Sequence, residues 1–144
     1  MCARYSLSKP RELLAERFKV IISENIYQPR YNASPTNLLP IIPSDESDKL
    51  LYFQWGLIPA WSKNKAISPQ LYNARAETIN DKPSFHGPFN RKRCLVPADG
   101  YYEWDKDHNP YRFTLKNNEL FAFAGIYDAW ELSLIHISEP TRPY

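Results

Sequence analysis

A cysteine stands at position 2, directly behind the initiator methionine. Methionine aminopeptidase removes Met1 where the second residue is small, so the mature chain begins with Cys2 and carries an amine and a thiol on adjacent carbons. Such a 1,2-aminothiol suits aldehydes: the amine condenses to a Schiff base, the thiolate adds to the imine carbon, and a thiazolidine ring closes. An N-terminal amine titrates near about 8 and a thiol near about 8.5, so a useful fraction of each is nucleophilic at neutral pH. The plainer account is a small residue incidental to a frayed terminus.

Two more stretches carry residues fit for chemistry. In LYNARAET, Leu71 to Thr78, a polar Asn and two charges alternate with small or apolar residues, as in a strand or a loop entry. There Asn73 is able to hold a sugar hydroxyl or a backbone group, and Arg75 a phosphate in bidentate fashion. The same residues also fit an exposed strand edge with a local ion pair between Arg75 and Glu77. In PADGYYEW, Pro97 to Trp104, a carboxylate sits between aromatics just past a glycine. Partial burial of Glu103 disfavours its charge and suits it to general acid work near neutral pH. Strand alternation gives an equally ordinary account, with Tyr102 and Trp104 in a core and Glu103 in water.

Trp55 and Trp61, in FQWGLIPAW, suit base stacking if exposed, although tryptophans more often serve a core. His86 and His108 have no metal-ligand spacing with either cysteine, and neither a Gly-rich phosphate loop nor a serine nucleophile elbow is present, so no metal and no cofactor is expected.

These residues need elements to hold them. At 144 residues, 43% apolar and 15% aromatic, the chain has the size and composition of one packed domain. The formal charge of +2 neither requires nor excludes a nucleic-acid partner. The basic residues bunch at Arg91 to Arg93 and at Lys63 and Lys65, which also reads as solvated surface. No apolar run approaches the roughly 20 residues that span a bilayer, and the start lacks a secretory pattern, so a cytoplasmic protein with Cys2 and Cys94 as free thiols is expected.

The segment PRELLAERFKV, Pro10 to Val20, predicts an amphipathic helix with Leu13, Leu14 and Phe18 on one face. Beyond it, prolines punctuate short apolar runs, Leu38 to Ile42 and Leu50 to Ile58, which predict strands around an exposed loop at Pro43 to Lys49. Cys94 to Pro97 predicts a short buried strand. Tyr111 to Leu115 and Leu120 to Ile126, either side of Asn117-Asn118, predict a β-hairpin. The sum is one α+β domain, mostly antiparallel or mixed sheet, barrel-like, with a few flanking helices.

The last residues, 132–144, continue no earlier pattern, and LSLIHISEPTR matches the translation of a transposase adapter used in library preparation. The expectation is a partial domain over 1–131 followed by a read-through tail.

Six motifs, MCARY, RYNASPTN from Arg30, WGLIPAW from Trp55, YNARAET from Tyr72, RCLVPADGYYEW from Arg93 and FAFAGIYDAW from Phe121, stand in the order found in the SOS-response-associated peptidase family, which the chain resembles from Met1 to Trp130. The resemblance implies an abasic site processing protein of the DNA damage response, a cytoplasmic, nucleoid-associated monomer. It would bind single-stranded DNA and form a thiazolidine crosslink between Cys2 and the ring-opened aldehyde of an abasic site. By motif match Asn73 would orient the N-terminus and the sugar, Arg75 would hold a flanking phosphate, and Glu103 would shuttle protons. Arg4, Asn32 and Trp61 would line the DNA groove. The family name adds a peptidase-like sense, in which the cysteine follows self-removal of its leader.

One departure stands out: family members carry a catalytic histidine in an Ile-His context further on. His136 mimics it inside the tail and does not inherit the role. Two rivals remain. An N-terminal-nucleophile peptidase or amidohydrolase would use Cys2, Asn73 and Glu103 on an amide, and a plain single-stranded DNA-binding module would use the aromatics and Arg75 without covalent chemistry.

Overall fold

The computed structural model describes residues 2–23, 26–63 and 71–130; the tail from 131 onward, with its adapter reading, and Lys65 lie outside the described residues. Strand β1 (Tyr5–Leu7) leads into helix α1 (Arg11–Phe18), and then come β2 (Arg30–Ala33), β3 (Leu38–Pro43), β4 (Leu51–Gln54), α2 (Pro83–Arg91), β5 (Arg93–Ala98), β6 (Gly100–Trp104), β7 (Pro110–Phe113) and β8 (Phe121–Ile126). The strands form two four-stranded sheets, β2-β1-β6-β7 and β4-β3-β5-β8. Every pairing between named strands is antiparallel. The α+β expectation holds, but the sheets remain two layers rather than a closed barrel.

Helix α1 is shorter than its pattern because Lys19 adopts the left-handed conformation (φ 56°), ending the helix with its N–H on the Ala15 carbonyl. Its apolar face is also narrower. Leu14 is fully buried and Phe18, one turn on, packs beside it, whereas Leu13, about 100° round the helix, is 45% exposed. The predicted β3 and β4 pair as expected, Leu38 opposite Gln54 through Ile41 opposite Leu51, with the polar loop between them.

The expected hairpin between the Tyr111 and Leu120 runs does not form. Asn117 and Asn118 do make a tight turn with positive φ (64° and 54°). That turn, however, carries the chain from one sheet to the other. Strand β8 pairs along all of β5, from Arg93 opposite Ile126 to Ala98 opposite Phe121, while β7 pairs with β6. The β6–β7 turn is organised by Asp105, whose Oδ1 accepts the N–H groups of Asp107 and Asn109, each at 2.9 Å.

Aromatic rings seam the two sheets. Tyr5 lies 5.6 Å from Trp55 and 6.0 Å from Phe123, and Tyr101 lies 6.0 Å from Phe123. Edge and tilted packing of this kind adds to the area the rings bury. Around them Leu7, Ala33, Leu39, Ala98 and Leu120 complete the main core.

A buried charge sets the join. Asp99, at the corner where β5 becomes β6, is fully buried. Its carboxylate accepts from the Ser6 hydroxyl at 2.6 Å, the Ser8 hydroxyl at 2.9 Å, the Lys9 N–H at 3.1 Å and the Ser8 N–H. Arg112 of β7 closes the set at 3.0 Å. The guanidinium lies over Gly100 so closely that a Cβ there would meet Arg112 Nε at 2.8 Å and would push the arginine from its seat on Asp99. Burial alone pushes the Asp99 carboxyl up, yet the hydrogen bonds from Ser6, Ser8 and Lys9 outweigh it and hold the group below the ordinary carboxylate range.

Removing this carboxylate strands several donors and an arginine. Asp99→Ala should lower unfolding stability by about 3 kcal/mol, read as the midpoint of urea denaturation at neutral pH. An unchanged midpoint would show that the network contributes nothing. Because folding lowers the Asp99 pKa, its contribution is present above the unfolded value of about 3.9 and fades as pH falls through the folded one. The stability of Asp99→Asn should therefore fall less steeply below about pH 4 than that of the parent chain, in denaturation midpoints measured across that range.

Candidate functional site

Strand β1 lies between β2 and β6, so the residues just before it are carried on a fixed rail. Cys2 is half-buried there, its thiol donating to the Arg4 carbonyl at 3.0 Å. Asn73 Nδ2 donates to the Cys2 carbonyl at 2.8 Å, so the structure brings these two expected residues together. Asn73 sits in a loop rather than a strand. That loop is tied down by the Trp55 Nε1–H on the Tyr72 carbonyl at 2.8 Å and by the Leu57 N–H on the Leu71 carbonyl at 3.1 Å. Trp55 is thus half-buried against the core with its indole N–H taken up by this tether, the more usual of the two places open to it.

Glu103 reaches the same neighbourhood from β6. Side chains alternate along a strand, and Tyr101, which packs on the core, shares its face with Glu103. Tyr102 and Trp104 take the opposite face: the Tyr102 hydroxyl donates to the Tyr31 carbonyl at 3.0 Å, and Trp104 is 47% exposed. The account with Tyr102 and Trp104 in the core and Glu103 in water therefore has the phase reversed. Burial raises the Cys2 thiol above its ordinary value, and the Glu103 carboxylate raises it further by disfavouring a second negative charge. Opposing contributions from hydrogen bonds to the backbone at Arg4 and Tyr102 reduce the rise without cancelling it. The arrangement favours the neutral thiol beside a carboxylate.

Arg4 and Asn32 also meet, with Arg4 Nη1 donating to Asn32 Oδ1 at 3.2 Å across β1 and β2. Arg75 is exposed two residues beyond Asn73, and the ion pairs among the described residues do not include one to Glu77. Trp61 is 68% exposed but lines a different recess, beside Pro88, Lys92 and Asp128, so it is not brought to Cys2. The basic run 91–93 is partly structural. Lys92 pairs with Asp128 at 2.5 Å and the Arg93 guanidinium lies 5.6 Å from the centre of the Phe89 ring. Cys94 is buried, and burial pushes its thiol up to about 12, so Cys2 is the reactive thiol of the described residues. Among those residues no three His, Cys, Asp or Glu side chains gather as a metal would require.

Two residues of consequence had no role in the sequence reading. Asp99 had a signal, an aspartate directly before glycine at a strand junction, but its buried partners come from distant Ser6 and Arg112. Tyr5 gave no signal. It is 3% exposed, and its hydroxyl has no hydrogen-bond partner. With Cys2 and Asn73 it lines a cavity of about 360 Å³ whose other walls include Phe53, Trp55 and Phe123.

A model of the SOS response associated peptidase (SRAP) family matches residues 1–139. The abasic site processing protein YoqW of Bacillus subtilis (strain 168) is 42% identical over 137 residues, covering 90% of this chain and 61% of its own. The abasic site processing protein HMCES of Rattus norvegicus is 29% identical over 184 residues, covering 91% of this chain and 52% of its own. A crystal structure of a protein from Bacteroides thetaiotaomicron superposes with a TM-score of 0.78 at 36% identity, over 90% of this chain and 61% of that one. The chain thus spans 61% of the length of YoqW and of the Bacteroides protein. With its motifs, its two-sheet fold and the family match over residues 1–139 in agreement, the chain belongs to the SOS response associated peptidase family.

Proposed function

We propose that this chain processes abasic sites in single-stranded DNA by covalent capture, with Cys2 as the nucleophile once Met1 is removed. The observation that carries the reading is the grip of Asn73 on the Cys2 carbonyl with the Glu103 charge alongside. The names of relatives such as YoqW and HMCES support the substrate class.

The Cys2 amine attacks the C1′ aldehyde of the ring-opened sugar and water leaves, giving an imine. Glu103 donates the proton that turns the hydroxyl into water and takes the proton of the thiol as Sγ adds to the imine carbon. Nitrogen is protonated as the ring closes, so the net change is one aldehyde and one aminothiol to one thiazolidine and one water. A thiol held in its neutral form by burial needs such a base. Asn73 fixes the N-terminal peptide so that amine and thiol face one carbon, a proximity effect. Arg4 with Asn32 and exposed Arg75 provide phosphate contacts for a strand that leads past the site, and exposed Trp61, in a separate recess, provides a stacking position away from Cys2. The protein acts as a monomer in the cytoplasm, near the nucleoid, in the DNA damage response. Among the described residues no helix is long and apolar enough to cross a membrane.

On denaturing electrophoresis after incubation with an abasic-site oligonucleotide, the chain should give a shifted band that Cys2→Ala abolishes. Asn73→Ala should slow its formation by about a hundredfold while binding of the undamaged strand changes little. A shifted band that survives in Cys2→Ala would overturn the assignment. No band from folded, Met1-free chain, together with cleavage of an amide substrate, would favour the peptidase reading instead.

The charge of Glu103 predicts a shift in pH dependence. Because it raises the Cys2 thiol, Glu103→Gln should move the pH midpoint of Cys2 alkylation by iodoacetamide downward, with Cys94 shielded by burial. An upward shift or none would place the carboxylate away from the thiol.

A further inference from the structure

Cys2 opens on a cavity whose character does not match a sugar-phosphate strand. Its volume of about 360 Å³ lies in the range of small-molecule sites, and its walls are mainly apolar, with aromatic faces at Tyr5, Phe53, Trp55 and Phe123. Tyr5 adds the second observation. It is 97% buried by its 3% exposure, and its hydroxyl is the one buried side-chain polar atom of the described residues with no partner. An orphaned hydroxyl costs roughly 1–3 kcal/mol in a protein interior, so a small shift of the Tyr5 side chain that brings its sealed hydroxyl to an occupant's oxygen is favoured.

We propose that the cavity admits small apolar aldehydes, aryl aldehydes above all, and that Cys2 captures them as thiazolidines. This extends the substrate class of the same nucleophile and rests on the reading of Cys2 as an N-terminal aminothiol. An apolar aldehyde carries one polar atom and a flat hydrocarbon body. The body takes the aromatic walls, and the carbonyl oxygen takes the Tyr5 hydroxyl before it leaves as water. The balance is that of the DNA reaction: the amine adds to the carbonyl, one water departs, Sγ bonds to the imine carbon and the thiol proton passes to nitrogen. Nothing is oxidised or reduced.

The test uses the full chain with Met1 removal verified by intact mass. Benzaldehyde and glyceraldehyde are offered separately, adducts are timed by mass spectrometry, and a short peptide beginning with cysteine serves as the reference aminothiol. The protein should capture benzaldehyde about tenfold faster than the peptide does, and should favour benzaldehyde over glyceraldehyde by about the same factor relative to that peptide. Val96→Phe, which places a ring on the cavity-facing side of β5 opposite Phe123, should collapse that preference. If this variant does not fold, benzyl alcohol, an occupant without an aldehyde, should slow benzaldehyde capture by the parent chain and leave the peptide unaffected. Capture of both aldehydes at the peptide's ratio, by a chain that crosslinks an abasic-site oligonucleotide, overturns the cavity proposal and leaves the DNA reading standing. A chain that starts with cysteine but forms neither aldehyde nor oligonucleotide adduct overturns both.

Discussion

The structure depends on a carboxylate with nowhere to go. Asp99 is sealed at the corner where the chain crosses from one sheet to the other, and a charge so placed persists only if its oxygens are fully bonded. Ser6, Ser8 and Lys9 answer from the N-terminal strand and its exit, and Arg112 answers from the edge strand β7. The consequence reaches beyond stability. The same bonds that satisfy Asp99 hold β1 in register against β6, Tyr5 opposite Tyr101 and Ser6 opposite Gly100, and so fix where the residues just before β1 emerge. A terminus that polymer entropy would otherwise leave free is thereby held near a partner.

What the terminus meets is assembled from far along the chain. Asn73 comes from a loop pinned by Trp55, and Glu103 comes from the strand that Asp99 launches. The electrostatics follow from that convergence. Burial and the neighbouring Glu103 carboxylate both oppose thiolate formation at Cys2, so loss of the thiol proton is tied to the charge beside it. Such coupling suits a reaction in which protons are exchanged at each step and no strong nucleophile is needed at rest.

Much of this was legible in the sequence where local rules apply. The helix after Pro10, the strands around the polar loop at 44–50 and the α+β class follow from periodicity and proline spacing, and Cys2, Asn73 and Glu103 stand out by type. Long-range facts were not legible. Asn117-Asn118 announced a tight turn, which exists, but no local signal says that β8 leaves β7 to pair with β5. Alternation around Glu103 left two phases open, and only the packing of Tyr101 on the core selects one. Leu13 and Leu14 are equivalent in composition, and the narrow contact between α1 and the sheets buries just one of them. Asp99 and Tyr5 escaped because their significance lies in partners, present for the first and absent for the second.

The central claim is that amine and thiol of Cys2 act together on one carbon, and the linkage itself tests that claim. The crosslinked oligonucleotide is digested with nuclease and protease without any reductant, and the modified peptide is sequenced by mass spectrometry. The account predicts the sugar remnant on the peptide that starts at Cys2, bound through both nitrogen and sulfur, with a mass one water below the sum of the parts and no thiol left to alkylate. An adduct on a lysine, or one recovered only after borohydride reduction, would contradict it.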